Sequence, residues 1–110
     1  MNNRDFLIVD DDITFTSLLT RALGRRNFSC EAANTSADAL QLLEKFYFAR
    51  AIVDLKLGAD SGLQFIRELK LRQPDVVIVM LTGYSSISTA VEAVKLGATN
   101  YLCKPADANE

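Results

Sequence analysis

Five short runs of β-forming residues alternate along this chain with four amphipathic patterns, and that alternation restricts the fold more than any other feature. The runs are residues 6–9, 28–32, 51–54, 76–81 and 100–103. The third and fourth are nearly continuous apolar residues, as expected of strands covered by helices on both faces. Phe15, Leu18, Leu19, Ala22 and Leu23 recur at helical spacing, and Ile87, Ala90, Val91 and Val94 repeat the pattern, with Gly97 placed to end that helix. Thr35 or Ser36 is placed to cap a helix through Leu40, Leu43 and Phe46. Ser61 is placed to cap another through Leu63, Ile66 and Leu69, which must stop before Pro74. Phe46, Tyr47 and Phe48 read as a helix end packed under a loop rather than a base-stacking platform. Strands and helices alternating at roughly 25-residue spacing make βαβ units, hence an α/β fold with a parallel, doubly wound sheet.

The 110 residues form one domain, 1–110, with no linker, repeat or low-complexity segment. After the fifth run only residues 105–110 remain, too few for the helix that would normally close such a sheet, so the chain is expected to be truncated there. Histidine is absent, which excludes Ser–His–Asp or Cys–His catalysis and His-ligated zinc. Two cysteines, Cys30 and Cys103, are too few for a disulfide scaffold or a Cys-only zinc site. They read as small buried hydrophobes in a reduced, cytoplasmic protein. A net charge of −2 gives no general reason to bind nucleic acid or an anionic membrane. The longest apolar run, residues 76–81, falls far short of the ~20 residues of a membrane span, and the acids closing MNNRDFLIVDDD exclude a signal peptide.

In doubly wound sheets ligands bind beyond the carboxyl ends of the strands. Here the first strand ends in Asp10, Asp11 and Asp12, the third in Asp54, the fourth in Thr82 and the fifth in Lys104. Each alone is an ordinary turn or surface residue; their joint placement is informative. Clustered carboxylates repel one another unless a cation is present, and Mg²⁺ suits such oxygen ligands. Lys104 adds a positive charge and Thr82 a hydroxyl donor, so a phosphoryl group would be neutralised from three sides as it passes to a carboxylate. The DDDIT loop would repel a bare phosphate, unlike the glycine-rich loop of a flavodoxin-like nucleotide binder. A haloacid-dehalogenase-type phosphatase needs a second Asp two residues after its nucleophile, where this chain has Lys56. A purely scaffolding domain of this fold would have lost the acids.

FLIVDDD, AIVDLKL, VIVMLTGY and YLCKP together resemble the receiver domain of bacterial two-component response regulators, over the whole chain. The resemblance implies a flavodoxin-like five-stranded sheet of order 2-1-3-4-5. It implies that Asp54 is the phosphoacceptor for a sensor histidine kinase, and that Mg²⁺ is held by Asp11, by Asp54, by the backbone carbonyl of Lys56 and, through water, by Asp10. Thr82 resembles the switch hydroxyl, Tyr101 the rotating aromatic, and Lys104 the phosphate-binding lysine, followed by Pro105 in a cis peptide. Asp12 lies one place beyond the usual pair, at the rim of the pocket. Gly58 stands where receivers usually place proline. In receivers the residues two after the acceptor and two after the switch hydroxyl line the path of attacking water. Here these are Lys56 and Tyr84, and neither can orient that water as a base would, so slow self-dephosphorylation is expected. GYSSISTAVEAVKLGATNYLCKPAD looks most like the redox-responding global transcription regulators of proteobacteria. That implies DNA binding only through a C-terminal helix-turn-helix domain, and no membrane partner. Cys30 and Cys103 then fall on opposite edges of the sheet, too far apart to bond within one chain. Without a fifth helix, apolar surface is expected to be buried in a homodimer that includes the fifth strand and the flank of the first helix.

Overall fold

The computed structural model describes residues 2–54, 56–57, 60–82 and 100–103, with only the backbone course for 56–57, 60–61, 81–82 and 100–103. In chain order the elements are β1 (Asn2–Val9), α1 (Ile13–Gly24), β2 (Cys30–Ala33), α2 (Ser36–Leu43), β3 (Phe46–Val53), β4 (Lys56–Leu57), β5 (Asp60–Ser61), α3 (Gly62–Arg72), β6 (Val77–Thr82) and β7 (Asn100–Cys103). β4 and β5 form a small antiparallel hairpin. The other five make one parallel sheet of order β2-β1-β3-β6-β7, the arrangement that the sequence implies once the hairpin is set aside. The amphipathic pattern at residues 87–94, with Gly97, lies outside the described residues.

Period-two alternation sorts the sheet's two faces. Leu7 and Val9, Ala51 and Val53, and Ile78 and Met80 join Ala39 and Leu43 of α2 and Phe65, Ile66 and Leu69 of α3 in one buried cluster. Each fully buried aliphatic side chain there contributes about 1.5–3 kcal/mol of transfer free energy. Among the described residues, those on the other face are less completely buried. Ile8 is buried, Ile52 and Val79 are half-buried, and Val77 is 39 % exposed. On α1 the expected apolar stripe is only partly buried: Phe15, Leu19, Ala22 and Leu23 are half-buried and Leu18 is 57 % exposed.

Helix ends follow local chemistry. Thr35 caps α2, its hydroxyl accepting the Asp38 N–H at 3.1 Å. α3 starts directly after Ser61 and stops two residues before Pro74. α1 ends in a turn whose Asn27 has φ 69°, a left-handed conformation that Asn tolerates, and the Phe28 N–H then returns to the Leu23 carbonyl at 3.1 Å.

Residues 46–48 correct the sequence reading. They are not a helix end: α2 stops at Leu43, and Phe46 opens β3. Two long-range partners decide this. Residues 2–4 extend β1 below the expected strand and pair with 46–48. On the opposite edge, Gln73 stands in for a neighbouring strand: its Oε1 accepts the Phe48 N–H at 2.9 Å and its Nε2 donates to the Phe46 carbonyl at 2.8 Å. Arg4 then stacks over the Phe46 ring at 4.4 Å. β7 and the end of β1 fall where the sequence places them, and the remaining strand boundaries shift by one or two residues. β2 begins at Cys30 rather than at residue 28, and β3 ends at Val53, leaving Asp54 just past its strand.

Candidate functional site

The register of three strands assembles the site. Val9 of β1 pairs with Ala33 of β2 and with Val53 of β3, so Asp10, Asn34 and Asp54 leave the sheet at one level. Backbone bonds hold that level: the Asp10 N–H donates to the Ala33 carbonyl at 3.1 Å and the Asp54 N–H to the Val9 carbonyl at 2.9 Å. Asp10 is 2 % and Asp54 6 % exposed, while Asp11 is open to solvent. One carboxylate oxygen from each of Asp10, Asp11 and Asp54 lies within 4.8 Å of the others. The sequence names these three acids, and the fold brings them together.

Burying two of three adjacent carboxylates is unfavourable unless positive charge faces them. The donor set fits a hard divalent cation. Oxygen ligands at 2.0–2.1 Å from Mg²⁺ sit about 3 Å apart when adjacent and about 4 Å apart when opposite, and the three carboxylate oxygens, within 4.8 Å of one another, are near that span. The exposure of Asp11 leaves one side for water or a further oxygen ligand.

The third acid has a different task. The Asp12 carboxylate accepts the Phe15 N–H at 3.0 Å and caps α1, while the Asp12 N–H donates to Asp10 Oδ1 at 3.0 Å. Asp12 therefore starts the helix and orients the Asp10 carboxylate. An Asp directly before the apolar stripe of α1 is the sequence signal for this role.

Three of the other expected residues are described by their place in the strands alone. Thr82 closes β6, two residues beyond Met80, the register partner of Val53. Lys56 opens β4 two residues after Asp54. Tyr101 lies in β7, paired with Met80. Lys104, Pro105, Tyr84 and Gly58 lie outside the described residues. Cys30 and Cys103 belong to β2 and β7, the two edges of the sheet. Burial pushes the Cys30 thiol pKa up, and Asp5 and Glu31 add to the rise. An open hollow of about 380 Å³ beside Arg4, Tyr47, Gln73 and Asp75 is at the opposite end of the strands and takes no part in the acidic site.

Asn34 is the residue that sequence reasoning missed. Its Nδ2 donates to the Asp10 carbonyl at 2.8 Å and to Thr16 Oγ1 at 3.1 Å, and the buried Thr16 hydroxyl donates to the Ile13 carbonyl at 3.0 Å. An Asn after a strand reads as a solvated turn, and nothing local in the sequence separates the two cases.

Comparison with known proteins gives a consistent result. The response regulator receiver domain family matches residues 6–110. The photosynthetic apparatus regulatory protein RegA of Rhodobacter capsulatus is 45 % identical over 109 residues, covering 99 % of this chain and 59 % of that protein. The acid tolerance regulatory protein ActR of Sinorhizobium medicae strain WSM419 is 44 % identical over 108 residues, covering 98 % of this chain and 56 % of that protein. The chain thus spans somewhat over half the length of these relatives. A crystal structure of a response regulator protein from Burkholderia pseudomallei, with a phosphorylated aspartic acid, calcium ion and citrate, superposes with a TM-score of 0.89 at 47 % identity. The match covers 99 % of this chain and 63 % of that one.

Proposed function

The chain belongs to the response regulator receiver domain family, and we propose on that premise that it is a phosphorylation switch in which Asp54 accepts a phosphoryl group from a sensor histidine kinase. The observation that carries this reading is the meeting of Asp10, Asp11 and Asp54 within 4.8 Å at the ends of adjacent parallel strands. Asp54 directly follows a central strand, and its backbone N–H is bonded to the Val9 carbonyl, so it leaves the sheet from a rigid scaffold. In the transfer, an Asp54 carboxylate oxygen forms a bond to phosphorus as the bond from phosphorus to the kinase imidazole nitrogen breaks, and that nitrogen takes up a proton as the ring leaves. Asp11 and Asp54, with the Lys56 carbonyl, are the groups that would hold Mg²⁺, and Asp10 would hold a water beside it. When bound, the ion supplies charge neutralisation for the phosphoryl oxygens. Lys104 supplies a second positive charge.

Signalling follows from the new acyl phosphate. Thr82, at the end of β6, would turn its hydroxyl toward the phosphoryl oxygens, and Tyr101 would move into the space vacated and remodel the outer face of β7. The chain is then a switch rather than a turnover enzyme, and it releases its phosphoryl group slowly. The longer protein would control transcription through a separate DNA-binding domain; the similar proteins are named as regulatory proteins. Its kinase exchange fits the cytoplasm, and among the described residues no helix is long and apolar enough to cross a membrane.

A homodimer is part of this reading. The face bearing Val77, Ile52 and Val79, with Leu18 on the flank of α1, is the less buried side of the sheet among the described residues. Burying it against a second copy explains its apolar character. Light scattering at high micromolar concentration is expected to give a dimer, and a stable monomer would overturn that part. Beryllofluoride with Mg²⁺ tests the switch itself. NMR should report shifts spreading from Asp54 to Thr82 and Tyr101, and an unchanged spectrum contradicts the proposal.

A further inference from the structure

We propose that Asn34 is a positioning residue for the acid pair: its side-chain amide sets the plane of the Asp10–Asp11 peptide and so directs the Asp11 carboxylate toward Asp10 and Asp54. The inference rests on the reading of that cluster as a divalent-cation site. β2 ends at Ala33, whose carbonyl accepts the Asp10 N–H at 3.1 Å. The next bond of the ladder should be given to the Asp10 carbonyl by a backbone N–H. Asn34 gives it from a side chain instead, at 2.8 Å. Because a carbonyl oxygen can only accept, the group facing it must be the amide nitrogen, and the direction of the bond is fixed.

The carbonyl that Asn34 holds belongs to the peptide linking Asp10 to Asp11, so its orientation decides how the chain leaves the sheet into Asp11. Asp11 is exposed, so the direction in which the backbone enters it bears on where its carboxylate lies. The second amide proton reaches Thr16 Oγ1 at 3.1 Å, and the Thr16 hydroxyl passes its own proton to the Ile13 carbonyl at 3.0 Å. One side chain thus ties the end of β2, the acidic loop and the first turn of α1 together, the same turn that Asp12 caps. Outer partners of this kind commonly change metal affinity about 10–100-fold when removed, without touching the ion.

The test is Mg²⁺ affinity, read by calorimetry or from the amide signals of Asp11 and Asp12 in an NMR titration, beside thermal stability in EDTA. Asn34→Ala should weaken Mg²⁺ binding about tenfold. Asn34→Asp gives the sharper comparison, since it keeps the shape and adds a negative charge. Charge alone would tighten cation binding, whereas loss of the donor to the Asp10 carbonyl should weaken it. If Asn34→Ala does not fold, Asn34→Asp carries the same test. Variants that lose stability in EDTA but bind Mg²⁺ as the wild type does would overturn the inference and make Asn34 purely structural. Wild-type protein that binds no Mg²⁺ would overturn it together with the cation-site reading, so the two failures are distinguishable.

Discussion

Removing one charge from the acidic cluster should make the metal-free protein more stable. The carboxylate oxygens of Asp10, Asp11 and Asp54 lie within 4.8 Å of one another. Two unit charges at that separation repel by about 1 kcal/mol in bulk water and about 3.5 kcal/mol at the effective dielectric of a protein surface. Asp11 is exposed and screened, so a value near the bulk-water end of that range, about 0.5–1.5 kcal/mol, applies to each of its two pairs. Asp11→Asn is therefore expected to raise the unfolding free energy in EDTA by about 1–3 kcal/mol. The same substitution should remove the response to Mg²⁺. A ligand at a hundredfold excess over its dissociation constant stabilises the native state by about 2.7 kcal/mol, so wild-type protein should gain on this scale and the variant should not. Urea unfolding with and without Mg²⁺ measures both quantities. If Asp11→Asn is no more stable than wild type in EDTA, or if Mg²⁺ stabilises both equally, the reasoning about the cluster fails.

Three further outcomes are expected, the first two from the structure and the third from the family resemblance. Gln73→Ala leaves the buried Phe48 N–H without its acceptor and removes the bond to the Phe46 carbonyl, which should cost about 2–4 kcal/mol in denaturant unfolding; a loss under 0.5 kcal/mol would contradict the role given to Gln73. The raised pKa of Cys30 means that the folded protein keeps the thiol proton to a higher pH than the unfolded chain. Its contribution is intact below the ordinary thiol range and declines as pH rises above it, so wild type should lose more stability than Cys30→Ser between pH 7 and pH 10. Lys56 and Tyr84 offer no carboxylate or amide to orient attacking water, and phosphorylated protein in Mg²⁺ buffer should persist for minutes or longer, against which a half-life of a few seconds would count.

The parts of this protein legible in its sequence are those where chemistry and periodicity coincide. Asp10, Asp11 and Asp54 could be read because acids at the ends of apolar runs are conspicuous, and register then needs only Val9 beside Val53 to unite them. The helical stripes of α2 and α3 announced themselves through Leu40 and Leu43, and through Leu63, Ile66 and Leu69. What stayed hidden depends on partners far along the chain. Phe46 continues the spacing of Leu40 and Leu43, and Glu44 and Lys45 carry none of the usual breaking signals, so only Gln73 and residues 2–4 reveal a strand there. Asn34 is concealed for the same reason: its task is defined by the Asp10 carbonyl, 24 positions away in sequence. Asp12 differs. Its capping pattern is local and readable, but its place in a run of three acids disguised it.

The most direct test of the account is transfer of phosphate to Asp54. Purified protein incubated with acetyl phosphate or phosphoramidate and Mg²⁺ should gain one phosphoryl group by mass spectrometry, and EDTA should prevent it. Asp54→Asn, which keeps the size of the side chain but removes the nucleophilic carboxylate just past β3, should gain none. Undiminished labelling of the Asp54→Asn protein would contradict the central claim.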